Sequence, residues 1–229
     1  MGNARVGFWA ATLTAGLAAV SFGVAVTTPP RTGPFAAAES ALAYPYSAAA
    51  EFVPRDFVWM YPALLMMLAY LVLAVYIRSR ASDAHGPFAS IGQSLAIVAF
   101  VVITIDYFVQ LQTIQPGLLR GEGADLVALT QYNPHGVFIA LENLGFLVMG
   151  FSFLFLGLSL GRERLERATR WVLVVSFALA LLAFVGMSLY FGLDLEYRFE
   201  VAAITIDWST LIAAGVLLAL VFRRSDAVR

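Results

Sequence analysis

The chain contains no cysteine and no lysine. Its 14 basic residues are all arginines, and it has two histidines, His85 and His135. Without cysteine there can be no disulfide, no thiolate metal ligand and no cysteine-held iron–sulfur cluster. Without lysine, neither retinal nor pyridoxal phosphate can be attached as a Schiff base. These absences exclude retinal pigments and pyridoxal-phosphate enzymes, and they leave any other cofactor unknown.

Charged residues are also scarce, at 13% of the 229 residues, whereas 61% of the residues are hydrophobic. Soluble domains carry about 25% charged residues. The composition therefore indicates an integral membrane protein, whose main partner is the lipid bilayer. The net charge is -1 and there is no basic patch, so a nucleic-acid partner is excluded. Nothing in the composition indicates an oligomeric state.

Six apolar segments are long enough to cross a bilayer, which takes about 20 helical residues. They cover residues 7–26, 57–77, 90–115, 134–160, 171–190 and 201–222, and a proline-rich outer loop, residues 27–56, joins the first two. We therefore expect a single all-α membrane domain over residues 1–229, a polytopic bundle of about six transmembrane helices. Pro116 and Gly117 should end the third helix. Asn133 should cap the fourth, with Pro134 in its first turn.

The arginines are divided unevenly between the two sides that six spans create. Only Arg31, Arg55, Arg120 and Arg198 fall on the side of the outer loop, and the other arginines fall on the side of the termini. Cytoplasmic loops of membrane proteins carry the excess of basic residues. The pattern predicts that both termini are cytoplasmic and that the protein is a multi-pass protein of the cell inner (cytoplasmic) membrane.

Three acidic residues interrupt the apolar segments: Asp106 in the third, Glu142 in the fourth and Asp207 in the sixth. Each should face the bundle interior, because hydrocarbon does not solvate a carboxyl group. Counted at 1.5 Å per residue from the outer helix ends, all three lie roughly 10 to 14 Å deep and share a layer. On the third segment, Asp106, Gln110 and Thr113 are spaced to lie on one helical face. The predicted ligand-binding residues are Asp106, Tyr107, Gln110, Glu142, Asn143 and Asp207.

Such a layer is compatible with three functions. Carboxyls without an embedded basic partner favour the binding or transport of a small cation or a cationic amphiphile. The first alternative is a membrane-embedded enzyme that uses His135 with Asp106, Glu142 and Asp207, including a metal-dependent one in which His135, Glu142 and Asp106 hold the metal. The second alternative is a structural or assembly role, with the acids as struts between helices. No nucleophile–base pair is evident, which favours binding over catalysis.

Several segments resemble a known group of proteins. They are DFVWMYPALL, TIDYFVQLQTIQPGLL, LTQYNPHGVFIALENLGF and GLDLEYRFEVAAITIDW. They resemble segments of a group of bacterial multi-pass membrane proteins of unknown function, over about residues 56–222. The resemblance implies a bacterial source and a six-helix membrane fold. It implies no activity.

Overall fold

The structure is a computed structural model that describes residues 3–227, with side chains from residue 4 to residue 224. This part of the chain forms helices and turns and contains no β-strand. Residues 1, 2, 228 and 229 of the predicted domain lie outside the described residues. The helices are α1 (Asn3–Val26), α2 (Met60–Arg80), α3 (Gly86–Val109), the short α4 (Gln115–Leu119), α5 (Val137–Ser159), α6 (Arg164–Phe191) and α7 (Tyr197–Ala227).

The described residues form six helices that are long and apolar enough to cross a membrane, with α3 and α4 sharing one span. A helix satisfies its own backbone hydrogen bonds, which is the requirement for crossing hydrocarbon. Large apolar side chains such as Leu182 and Leu189 of α6 remain on the outside of the bundle. The predicted all-α bundle of six spans is confirmed, and the chain is a multi-pass membrane protein.

Glycines set the closest approaches between helices. α1 packs along α7, and α3 packs along α5. A Cβ atom at Gly215 of α7 would lie 2.8 Å from the carbonyl oxygen of Ala11 in α1. A Cβ atom at Gly92 of α3 would lie 2.8 Å from the backbone nitrogen of Leu156 in α5. Small residues at such crossings are typical of membrane helices, which associate mainly through close packing.

One end of the bundle, the basic end, collects arginine-rich helix termini. Arg80 at the end of α2 pairs with Glu166 in the first turn of α6 at 3.4 Å. Its guanidinium also lies 5.4 Å from the centre of the Phe222 ring near the end of α7. A Cβ atom at Gly7, near the start of α1, would meet the same ring. The opposite end is called the outer end below.

Residues 27–56 fold over the outer end of the bundle. Prolines prevent a long helix in this stretch, which forms short 3₁₀ turns instead. Arg31 and Asp56 make a buried ion pair, with 3.1 Å between Nε and Oδ2. The hydroxyl groups of Thr32 and Tyr197 lie 2.6 Å apart, which ties the segment to the first turn of α7. The outer loop is therefore a packed cover rather than a free connection.

The predicted end of the third helix is wrong. After α3 the chain makes a π-helical turn at Gln110–Ile114 and then continues helically in α4, through Pro116 and Gly117. Pro116 lies in the first turn of α4, where a missing N–H costs little.

The π-helical turn also changes which side chains face inward. Asp106 and Gln110 are buried, but Thr113 is exposed and Ile114 occupies the interior. A π turn adds one residue, so the side chains that follow are rotated by about 100°. The face predicted for Asp106, Gln110 and Thr113 therefore ends at Gln110.

The predicted start of the fourth span is also wrong. Its helix begins at Val137, after Gly136, and Asn133 is not its N-cap. The Asn133 side chain instead accepts a hydrogen bond from the N–H of His135 at 3.0 Å and donates one to the carbonyl oxygen of Val127 at 3.0 Å. Asparagine readily forms such local turns, and here the turn is more favourable than a cap.

Candidate acidic binding site

The carboxyl group of Glu142, in α5, lies at the centre of a buried polar cluster. The residue is fully buried, and its Oε1 accepts a hydrogen bond from the Tyr107 hydroxyl at 2.6 Å. Asp106, which precedes Tyr107 on α3, interacts electrostatically with Glu142. Glu200 of α7 interacts electrostatically with both Glu142 and Asp106. Asp106, Glu142 and Glu200 are called the acidic cluster below.

Glu142 and Glu200 each leave one carboxyl oxygen without a hydrogen bond. The Oε2 atoms of both residues are buried, and neither has a hydrogen-bond partner in the described part of the chain. Buried polar atoms without partners are uncommon in native structures and call for an explanation, such as a bound ion. The two oxygens are therefore available to a bound cation.

No ion pair formed by the described residues neutralises the acidic cluster. These pairs are Arg31–Asp56, Arg80–Glu166, His135–Glu196 and Arg198–Glu196. A buried carboxylate is costly unless a positive charge or several hydrogen bonds compensate it. The acidic cluster is thus a place where a positive charge would be strongly favoured.

A cavity of about 360 Å³ lies at the outer end, and Glu200 is one of its wall residues. The end of α1, the outer loop and the start of α7 form most of the wall. Asp56 also lines the cavity and is only 2% exposed. Its Oδ2 is paired with Arg31, while its Oδ1 is buried and receives no hydrogen bond from the described residues. Two acids and one arginine line the cavity, so its wall is net acidic when both acids are ionised.

Two aromatic side chains, Tyr132 and Trp59, hold Asp56 in place through hydrogen bonds. Burial raises the pKa of Tyr132 well above its ordinary value, and the neighbouring Asp56 carboxylate raises it further. The phenol therefore keeps its proton and donates to Asp56 Oδ2 at 3.3 Å. Trp59 Nε1 donates to the carbonyl oxygen of Asp56 at 3.1 Å. These hydrogen bonds hold the Asp56 side of the cavity in place.

The predicted binding residues divide into those in the cluster and those outside it. Asp106, Tyr107 and Glu142 come together. Gln110 is buried but anchors the loop before α5, with Nε2 donating to Leu129 O at 2.6 Å and Oε1 accepting from Gln131 N at 3.0 Å. Asn143 is half-buried, and its Oδ1 lacks a hydrogen-bond partner among the described residues.

Asp207 is fully buried but lies apart from the acidic cluster. Its electrostatic contact is with Tyr70 rather than with the other acids, and neither carboxyl oxygen has a hydrogen-bond partner among the described residues. It follows Glu200 by seven residues on α7, which places it about 10 Å deeper along the helix axis. No interaction in the described part of the chain joins Asp207 to Asp106 or Glu142, the acids with which it was predicted to share a layer.

The predicted metal ligands are not assembled. The His135 side chain is 58% exposed, and its Nε2 lies 3.7 Å from Glu196 Oε1 at the outer surface. Among the described residues, no three or more histidine, aspartate or glutamate side chains are placed to hold a metal ion. His135 faces outward because the turn at Asn133 replaces the first turn of the predicted helix. His135 precedes Glu142 by seven residues, which on one continuous helix would place both near the same face, but His135 lies before the start of α5.

Sequence reasoning missed Glu200. The residue lies in the segment FGLDLEYRFE, which has the composition of a solvated acidic turn. α7 begins at Tyr197, so Glu200 is already in its first turn. It precedes Asp207 by seven residues and hence lies near the same helical face. That spacing was the available signal.

Comparisons with protein-family models, curated proteins and solved structures found no match for this chain. The fold alone does not define a function, which has to be argued from the site. The site combines carboxyls from three helices with a cavity at the outer end. This arrangement can bind a positive charge.

Proposed function

We propose that the protein binds a cation at the acidic cluster, and that the cation is either small or the charged group of an amphiphile. The observation that carries the proposal is that Glu200 joins the cluster to the cavity. Asp106 and Glu142 lie behind it without a basic partner among the described residues. A cation beside Glu200 would offset the cost of burying these carboxyls. Transport would use the same site as its first binding step.

The alternatives have weaker support. An enzyme that uses His135 would need this side chain near the carboxyls, and it lies at the surface beside Glu196. Purely structural acids would not require a cavity that reaches one of them. We also propose that the protein resides in the inner membrane of a bacterium, with the basic end in the cytoplasm, since arginines are concentrated there. Membership of the resembled bacterial group stays a prediction.

Cations and protons compete for carboxylates. A cation that reaches Glu200 therefore competes with any proton bound to the acidic cluster. Tyr107 holds Glu142 Oε1 in either state, so the carboxyl does not have to move. Binding should release a proton and should tighten as the pH rises, because fewer protons then compete for the carboxyls.

The test is to titrate the purified full chain, in weakly buffered detergent, with inorganic and organic monovalent cations. We expect saturable thermal stabilisation by at least one cation and the release of about one proton per cation bound. Glu200→Gln and Glu142→Gln should each abolish both signals. Glu39→Gln makes the same change at an exposed site in the outer loop and should leave both intact.

Two results would contradict the proposal. One is the absence of stabilisation by every cation tested in a folded protein. The other is binding that is unaffected in both cluster variants, which would locate the cation elsewhere.

A further inference from the structure

We infer that the ligand of the cavity is an organic ammonium ion, whose nitrogen lies beside Glu200 and against aromatic rings. This inference rests on the proposed function and specifies the ligand class. Five aromatic side chains line the cavity together with Glu200: Phe22, Phe35, Trp59, Tyr132 and Tyr197. Aromatic faces attract cations through the ring quadrupole, and alkylated ammonium ions are the ligands that such walls recognise best.

Three of these rings have their polar atoms already engaged. Trp59 Nε1 and the Tyr132 hydroxyl both donate to Asp56. The Tyr197 hydroxyl donates to the carbonyl oxygen of Gln131 at 2.9 Å and is also bonded to Thr32. The rings therefore contribute carbon surface to the cavity rather than oxygen or nitrogen ligands. A ligand held there gains more from ring contact than from new hydrogen bonds.

The same end of the molecule already holds one cation in this way. The guanidinium carbon of Arg31 lies 3.7 Å from the centre of the Phe52 ring, and Arg31 also pairs with Asp56. Its charge is thus balanced by one carboxylate and one ring. Glu200 is the cavity acid that has no such cation, and five aromatic rings line the same cavity.

A bare metal ion fits this space poorly. Hard cations such as calcium take six to eight oxygen ligands, mostly from converging carboxylates and carbonyls. The described residues contain no group of three acidic or histidine side chains placed to hold a metal. A cavity of about 360 Å³ instead lies within the range of sites for small organic ligands.

The rim of the cavity leaves room for an apolar substituent. Val26 at the end of α1 and Val201 near the start of α7 line the cavity and are 68% and 44% exposed. Both belong to helices that cross the membrane, so the rim lies at the border between cavity and bilayer. The ammonium could come from solution or from an amphiphile in the outer leaflet. The chemistry at the nitrogen is the same.

The test uses the purified full chain in dodecyl maltoside, with binding measured by calorimetry. The probes are tetramethylammonium, choline, 3,3-dimethylbutan-1-ol as the uncharged isostere of choline, sodium and magnesium. We expect the two ammonium ions to bind at least about tenfold more tightly than the isostere or the metal ions. Glu200→Gln and Trp59→Leu should each weaken ammonium binding about tenfold.

Phe35 provides a matched pair of variants if Trp59→Leu does not fold. Its side chain is 46% exposed on the rim, so the bundle does not depend on it. Phe35→Leu should weaken ammonium binding about threefold or more, while Phe35→Tyr should retain it. The inference would be overturned if Phe35→Leu and Glu200→Gln both bound ammonium ions as tightly as the parent protein does.

Other outcomes separate this inference from the proposed function. Sodium or magnesium binding that requires Glu200, without ammonium binding, would overturn the inference and leave the proposed function standing. Absence of binding by every cation would overturn both.

If the inference holds, dodecyltrimethylammonium distinguishes the two sources of the ammonium ion. A tenfold gain over tetramethylammonium, absent with the uncharged detergent of equal chain length, identifies a membrane amphiphile, and no gain identifies a soluble ammonium ion.

Discussion

Glu142 shows how one buried side chain can serve both structure and binding. One of its oxygens accepts a hydrogen bond from the Tyr107 hydroxyl, while the other is buried without a hydrogen-bond partner among the described residues. The hydrogen bond fixes the rotamer of Glu142, and the second oxygen stays available to a ligand. A cation can therefore approach that oxygen without disturbing the contact with Tyr107.

Tyr107→Phe tests this fixing role. The substitution keeps the ring, which packs against Trp59 and Phe138, and removes only the hydroxyl. We expect the free energy of unfolding to fall by about 1 kcal/mol, the typical scale of a hydrogen bond between membrane helices. Unfolding by sodium dodecyl sulfate in mixed micelles measures the change.

Tyr61→Phe is the control for this prediction. Tyr61 is half exposed near the start of α2, so loss of its hydroxyl should leave the stability of the bundle nearly unchanged. If Tyr61→Phe and Tyr107→Phe have the same stability, the hydroxyl of Tyr107 does not position Glu142.

Sequence reasoning succeeded for residues whose polarity conflicts with their surroundings. Asp106, Glu142 and Asp207 are all buried, as carboxyls within apolar segments should be. Their mutual distances could not be predicted, because these depend on helix rotation. Glu200 was missed for a different reason. Its burial depends on the outer loop folding over the start of α7, and polarity alone makes a residue in an acidic turn appear solvated.

At the scale of helices, the number and length of the spans could be predicted from the sequence. The direction in which side chains face after the π-helical turn could not. Bilayer thickness sets the length of an apolar run, so six such runs indicated six spans. The π-helical turn at Gln110–Ile114 left no pattern in the sequence. It is compatible with Gln110 holding the loop at Leu129 and Gln131, contacts that depend on the tertiary structure.

Gly215→Ala tests the close contact between α1 and α7. The new methyl group would lie 2.8 Å from the carbonyl oxygen of Ala11 and 2.9 Å from the Ala15 side chain, so the helices would have to separate. We expect a loss of about 1 to 3 kcal/mol in the free energy of unfolding, the usual cost of overpacking. The same unfolding measurement in mixed micelles detects it.

Gly16→Ala is the matched control, a glycine in α1 whose added Cβ would meet nothing within 4 Å. Alanine is the better helix former, so this variant should be as stable as the parent or slightly more stable. A loss of equal size in both variants would mean that the Gly215 contact does not hold the helices together.

At the scale of the whole molecule, the two ends of the bundle differ in charge. The basic end holds Arg78 and Arg80 of α2, the arginines at the start of α6 and those at the end of α7. The outer end carries the cavity, the outer loop and the acidic turn before α7. This asymmetry opposes entry of cations from the basic end and favours their approach to the cavity from the outer end.

The orientation in the membrane follows from the same asymmetry and can be measured by cysteine labelling, because the natural chain has no cysteine. Ser47→Cys and Ala124→Cys introduce exposed thiols at the outer end, and Ala84→Cys and Arg167→Cys introduce them at the basic end. Because basic loops stay in the cytoplasm, an impermeant maleimide should label only the first two in intact bacterial cells. All four should react after permeabilisation, which controls for accessibility. Labelling of Ala84→Cys or Arg167→Cys in intact cells would invert the orientation and place the cavity on the cytoplasmic side.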